Sequence, residues 1–432
     1  MDEQPNSKTL GDYIVVLVGH MISLFGSSVV YFILLWWITV ETQSALYLSL
    51  ASFLTILPLV IILPFAGVLS DILDRKKVLI ITNALSALTT FILIVLFAFG
   101  TPEINLLLVF FLIRSISHAF YQPTFFAIVP SMVSQKHLGR INGLTYFLMI
   151  LTQMFAPIFA GILLSAFPIN QILWVDVIGI GITIILLILI KIPQVKEIRL
   201  RTKDHKLDSF IIQYFKQFIE GFRTIIMIPS ILILFGAIFI LEFLSFPFNT
   251  YLSYYFSVLH DGSVFEYAII SSISFIGMII GIIVFVIKKY WNPVILIFFL
   301  SMFLIFMGNL VILLAPYRSL DLIGITFFIK GFLLVLINTI FPTLIQSNIP
   351  RNRLGRVSAI YFSITSFVPF FASFLFTVLL FFISDIILIL LLTTIMGILS
   401  MIVLYVFTGI RNIKFENYKV LDNIEYNYNR IN

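Results

Sequence analysis

Residues Gly67 to Lys77 read GVLSDILDRKK, with five charged side chains crowded between Asp71 and Lys77. Apolar runs flank this stretch, from Ser44 to Ser70 before it and from Val78 to Gly100 after it. Roughly 20 mostly apolar residues suffice to cross the hydrocarbon of a bilayer. A charged turn between two such runs therefore reads as a short loop joining two membrane helices. The whole chain supports lipid as its solvent: 61% of residues are hydrophobic and 11% charged, against about 25% charged in soluble domains.

Working outward, charges and turn residues divide the chain into twelve such spans. They are Tyr13–Val40, Ser44–Ser70, Val78–Gly100, Ile104–Val133, Ile141–Phe167, Gln171–Ile190, Pro229–Val258, Val264–Ile287, Pro293–Ala315, Leu322–Ser347, Val357–Ser384 and Ile386–Ile410. Helices are expected, because backbone amides in hydrocarbon have no water to bond. The fold class is an all-α membrane protein of 12 transmembrane helices. With the N-terminus inside, 23 of the 26 Lys and Arg fall on cytoplasmic segments, only Arg318 falls outside, and Arg114 and Lys330 lie within spans. This asymmetry places both termini in the cytoplasm. The opening MDEQPNSKTLGD lacks the basic and cleavable features of a signal peptide and reads as a cytoplasmic tail.

Four segments follow: a six-helix half over 1–191, a basic linker over 192–227, a second six-helix half over 228–410, and a polar tail over 411–432. In the linker, Ile211, Phe215, Phe218 and Phe222 recur at helical spacing opposite Lys216, Glu220 and Arg223. That pattern suits a helix lying on the membrane surface, or equally one packing on the bundle.

Much chemistry is excluded. The chain has no cysteine, and its five histidines are scattered without metal-ligand spacing. It contains no phosphate-binding loop and no assembled nucleophile–base pair. An enzyme, a metal site and a cofactor are therefore not expected. The net charge of +6 is spread over membrane-flanking turns, which gives no nucleic-acid surface.

Half the chain repeats the other half. LGR at Leu138–Arg140 recurs at Leu354–Arg356, a shift of 216 residues, and both copies lie on cytoplasmic turns. The same shift carries Arg114 onto Lys330, the two basic residues within spans. Parallel six-span halves handling a substrate at their interface are a secondary-transporter design.

The opening stretch, GVLSDILDRKK, resembles the signature G-x-L-[AS]-D-x-x-[GD]-R-[KR]-[KR] of the major facilitator superfamily, with Gly67, Leu69, Ser70, Asp71, Asp74, Arg75, Lys76 and Lys77 on its positions. Asp74 in place of the more usual glycine is similar to the drug-exporter branch that includes the macrolide-efflux proteins. Gly67 lets two helices approach closely, and Asp71 at a helix end can bond a facing helix N-terminus or an arginine. The resemblance implies that Asp71 latches the cytoplasmic side to span 11 beside Arg356, with Arg140 at the repeat-related turn. Arg114, in FLIRSISHAFYQP, resembles the superfamily's span-4 arginine. Span 5 follows the exporter spacing G-x8-G-x3-GP-x2-GG with Gly143, Thr152, Ala156, Pro157, Ala160 and Gly161. These residues are small enough for close packing, and the proline permits a bend.

The resemblance also implies that spans 1, 4, 7 and 10 line a central cavity between the halves. Those spans carry His20, Arg114, Glu242 and Lys330. Ionisable groups at membrane depth are costly and point to function. Glu242 is the candidate proton carrier, with Arg114 or Lys330 as its counter-charge; the alternative is a static pair holding the halves in register. His20 suits hydrogen-bonded packing or proton transfer. Asp176, on span 6, is expected to cap or pair near the outer surface. The expected function is efflux of an amphipathic organic molecule driven by protons or another cation, by a monomer in the lipids of the cell membrane. Two alternatives stand beside it: uptake of a small anionic solute clamped by Arg114 and Lys330, and a transport-inactive receptor or assembly partner.

Overall fold

A computed structural model describes residues 7–72, 74–192, 219–288, 291, 293–349, 351–383 and 385–410. Among these, twelve helices are long and apolar enough to cross a membrane. They are α1 (Ser7–Thr42), α2 (Ala45–Ile72), α3 (Arg75–Phe99), α4 (Ile104–Met132), α5 (Gln135–Ala166), α6 (Trp174–Leu189), α7 (Pro229–Thr250), α8 (Val264–Ile287), α9 (Val294–Leu313), α10 (Leu320–Asn348), α11 (Arg351–Phe382) and α12 (Ile386–Phe407). The sixth span departs from a single helix: Pro168 opens a short turn at Ile169–Ile172, and α6 proper begins after Leu173. The chain continues beyond α7 through a π-helical turn at Tyr255–Leu259.

Most of the linker, over 193–218, and the tail over 411–432 lie outside the described residues. Residues 219–227 are helical and pack on the bundle, burying Thr224 and Ile225. Glu220 pairs with Arg356 at the start of α11 at 2.8 Å.

Because successive helices alternate direction, one side of the bundle carries the α2–α3 turn, the start of α1 and the end of α12; this is called the terminal side. The far side carries the α1–α2 turn. Helix packing repeats with a step of six. Contacts α1·α5, α1·α6, α2·α4, α3·α4 and α3·α6 recur as α7·α11, α7·α12, α8·α10, α9·α10 and α9·α12. Between the two groups run α2·α11 and α5·α8, which the same step of six exchanges.

The tightest crossing joins α8 to α10. A Cβ built on Gly277 would stand 2.0 Å from the Phe328 carbonyl oxygen, and one on Gly331 would stand 1.8 Å from that of Ser274. Only glycine lets the two backbones touch there, and association by close approach is how helices adhere in a solvent as apolar as their own side chains.

Contacts between the halves gather on the far side. Ser49 Oγ lies 2.6 Å from Thr377 Oγ1 and accepts from Tyr251 OH at 3.1 Å. Thr39 Oγ1 and Ser253 Oγ share a hydrogen bond of 2.8 Å. Phe32 and Trp36 stack on Tyr267. Along α5 the interface thins toward the terminal side. A Cβ on Gly161 would press within 3.1 Å of Ala268 on α8, whereas one on Gly143 would meet nothing within 4 Å. Neighbouring Tyr146 and Phe147 are exposed. Among the described residues, these hydrogen bonds and ring stacks between the halves lie on the far side, and α5 has an open face at Gly143 toward the terminal side.

Replacing Gly331 with alanine should destabilise the protein by about 1–3 kcal/mol or more. Gly236→Ala, on an open face of α7, should be neutral or slightly stabilising. Thermal unfolding of the two purified variants in detergent checks the contrast.

Candidate functional site

α1 places His20, Ser23 and Ser27 on one face at helical spacing. Opposite them stand Asn83 and Thr90 on α3, and Arg114 and Tyr121 on α4. Asp176 enters from the first turn of α6 and is fully buried. Its approach depends on Gly26: a Cβ there would stand 2.9 Å from the Asp176 Cα. Arg114 meets this carboxylate with both terminal nitrogens, Nη1 to Oδ2 at 2.5 Å and Nη2 to Oδ1 at 3.0 Å. Thr90 Oγ1 accepts from Nη1 at 2.7 Å and donates to Oδ2 at 2.6 Å. Ser27 Oγ accepts from Nη2 at 2.5 Å and donates to Oδ1 at 2.8 Å. Four helices are thus closed around one ion pair whose hydrogen-bonding capacity is nearly saturated, the condition under which a buried pair is tolerated.

The sequence pointed to Glu242 as a counter-charge for Arg114. The structure gives Asp176 instead. Arg114 and Asp176 are the base and the acid well inside the first half, and pairing them neutralises that half without help from the other. Charge balance within each half is the signal that could have found this; Ser27 and Thr90 had no signal beyond being small hydroxyls. Toward the terminal side, His20 Nδ1 shares a hydrogen bond of 2.9 Å with Tyr121 OH, and Ser23 donates to Asn83 at 3.3 Å. His20 also lies against the Phe125 ring, tilted by 35° with centroids 4.0 Å apart.

The second half does not repeat the pair. Lys330 Nζ donates to Asn309 Oδ1 on α9 at 2.5 Å and lies over the Phe248 and Phe327 rings at 4.2 and 5.1 Å. Glu242, on α7, is half-buried and makes no hydrogen bond or ion pair among the described residues. One turn on, the buried Ser245 hydroxyl also lacks a partner among the described residues. The hydroxyl of Tyr361 on α11 lies within electrostatic reach of the Glu242 carboxylate.

At the α2–α3 turn, Asp74 caps α3 by accepting from the backbone N–H groups of Lys76 and Lys77 at 3.0 and 3.3 Å. Arg75 donates to the Ala127 carbonyl of α4 at 2.8 Å, and Lys76 to those of Ile188 and Ile190 at the end of α6, both at 2.8 Å. Cations thus sit on helix C-terminal carbonyls, where the dipole favours them. The side chains of Gly67 and Asp71 lie outside the described residues; Lys77 and Arg140 are exposed. On α5, Ala156 and Ala160 are fully buried against Val29 and Ile33 of α1, Thr152 is buried, Pro157 lies inside the helix and Gly161 faces α8. A Cβ on Gly143 would meet nothing within 4 Å among the described residues.

The family model of the Major Facilitator Superfamily matches residues 16–373. The chain belongs to the major facilitator superfamily. This transporter is 26% identical over 358 residues to macrolide efflux protein A of Streptococcus pyogenes, covering 82% of this chain and 85% of that one. It is 27% identical over 327 residues to macrolide efflux protein A of Enterococcus faecalis, covering 75% and 97%. Among solved structures, a bacterial homologue of the iron transporter ferroportin in an inward-facing state superposes with a TM-score of 0.67 at 15% identity, over 92% of this chain and 99% of that one. Such proteins move small molecules across membranes and are not enzymes.

Removing one partner of the buried pair, as in Asp176→Asn or Arg114→Met, should destabilise the transporter by about 3–5 kcal/mol. The double variant Arg114→Met/Asp176→Leu should recover much of that loss. Unfolding of the singles and the double in a double-mutant cycle measures the coupling.

Proposed function

We propose that this transporter exports amphipathic, cationic organic molecules from the cytoplasm in exchange for protons, as a monomer in the cytoplasmic membrane. The observation that carries the reading is Glu242. It is a half-buried carboxylate on α7 that makes no hydrogen bond or ion pair among the described residues, one turn from the Ser245 hydroxyl, which has no hydrogen-bond partner among them. A lone carboxylate in a poorly hydrated setting serves a cation or a proton, and the two compete for it. Direction comes from the basic asymmetry of the turns, which puts the terminal side in the cytoplasm. The open face of α5 at Gly143 then lies toward the cytoplasm, where an exporter collects its cargo. The similarity to macrolide efflux proteins supports the same direction.

Uptake of an anion clamped by Arg114 and Lys330 fits the geometry less well. Both terminal nitrogens of Arg114 are engaged by Asp176 and by hydroxyls, so most of its donors are already spent. The decisive test is Glu242→Gln in proteoliposomes with an imposed pH gradient, using an amine-bearing macrolide, tetraphenylphosphonium and an anionic dye as substrates. Gradient-driven flux of the first two should fall to background while the variant stays folded. Flux equal to wild type, or transport of the anion alone, would overturn the proposal.

The far-side contacts yield a second expectation. The chain contains no cysteine, so Ser49→Cys and Thr377→Cys introduce the only two thiols. Bridging them with a short bis-methanethiosulfonate, which forms a disulfide at each thiol and releases methanesulfinate, should hold the far side shut and stop flux, with substrate binding from the terminal side retained. Flux assays and binding measurements before and after bridging check this.

A further inference from the structure

The duplicated position in spans 4 and 10 holds two different kinds of cation. Arg114 cannot lose its proton under physiological conditions, and its partner Asp176 serves only the charged form. Lys330 can lose one, and its partner Asn309 is an amide. An amide oxygen accepts from an ammonium; turned over, the amide nitrogen donates to a neutral amine. Asn309 is 1% exposed and makes no other hydrogen bond among the described residues, so nothing opposes that turn. The lysine is 7% exposed. A single hydrogen bond and two ring faces, of Phe248 and Phe327, stand against its three N–H donors.

Among the described residues, the charged groups around it leave the site without a fixed counter-ion. α9 carries no charged residue from Val294 to Leu313, and neither does α12 from Ile386 to Phe407. α8 has Glu266 alone, in its first turn at the far end, occupied by Ser263 and Arg318. On α10 itself the acid is Asp321, in the first turn. α11 brings Arg351, Arg353 and Arg356 at its terminal-side start, and Tyr361. α7 supplies Phe248 and carries Glu242, which is not in contact with the lysine. A pair of neutral, reversible partners around a titratable amine is a site built to be satisfied with or without its proton.

We propose that Lys330, presented by Asn309 and the Phe248 and Phe327 rings, is a proton-carrying site of this transporter, and that loss of its proton favours binding of a cationic substrate. The proposal rests on the proton-coupled reading above and adds a second exchanging group to Glu242. When the amine gives up its proton to water, the second half loses one positive charge and a cationic substrate can take its place. The Arg114 site, fixed by its acid, stays charged throughout.

The test is binding of tetraphenylphosphonium, whose charge does not titrate, to purified transporter from mildly acidic to mildly alkaline pH. Each proton released on binding changes the dissociation constant about tenfold per pH unit. Wild type should bind more tightly as pH rises. Lys330→Met and Lys330→Gln, which lack the charge, should bind tightly at acid pH and lose about one proton's worth of slope. Lys330→Arg should bind weakly at every pH with the same loss of slope, and Glu242→Gln should bind weakly overall while keeping the slope that Lys330 supplies. Folded Lys330 variants with the wild-type slope would overturn this site alone, as a purely structural lysine requires. A wild-type protein with no pH dependence would overturn proton coupling itself, and this site with it.

Discussion

A charge surrounded by hydrocarbon has to bring its own solvent, and in this protein that constraint organises the first half. Arg114, Asp176, Ser27 and Thr90 come from four helices and close a ring of hydrogen bonds. Each hydroxyl donates to the acid and accepts from the base, so the pair is wrapped on two sides by groups that serve both charges. Gly26 is what lets α6 come close enough for this. Four of the six helices of that half are tied at depth by polarity, because burial against one another gains little over burial in lipid.

The second half is assembled by a different balance of the same forces. Its tightest joint, between α8 and α10, is backbone against backbone at Gly277 and Gly331, and its buried cation is held by an amide and two rings. One duplicated plan thus ended as a locked ion pair on one side and a lysine held by an amide and two rings on the other. Packing kept the six-step symmetry, whereas the chemistry at the duplicated position did not.

Much of the fold was legible in the residues. Span count and the division into turns follow from apolar length and charge placement, and the shift of Arg114 onto Lys330 pointed to duplication. What was not legible was the identity of partners. Asp176 lies in a different span from Arg114, and only the folded bundle brings the first turn of α6 beside the middle of α4. Asn309 gave no sign either, since a lone asparagine in an apolar run has no periodicity to mark it. The roles of Asp74, Arg75 and Lys76 were half visible: the motif marked them, but their carbonyl partners at Ala127, Ile188 and Ile190 come from helix ends far along the chain.

The seam between the halves deserves reading by what it is made of. Ser49, Thr377, Tyr251, Thr39 and Ser253 meet through hydroxyls. A hydroxyl that loses a hydroxyl partner to water exchanges one hydrogen bond for another of similar strength. The hydroxyls of such a seam fix the register in which two surfaces meet while adding little to the depth of the well, which is left to apolar contacts such as Phe32 and Trp36 on Tyr267. Hydration is therefore a participant in its opening: the water that enters replaces the contacts it breaks, and the same surfaces can be found again in register when that water leaves.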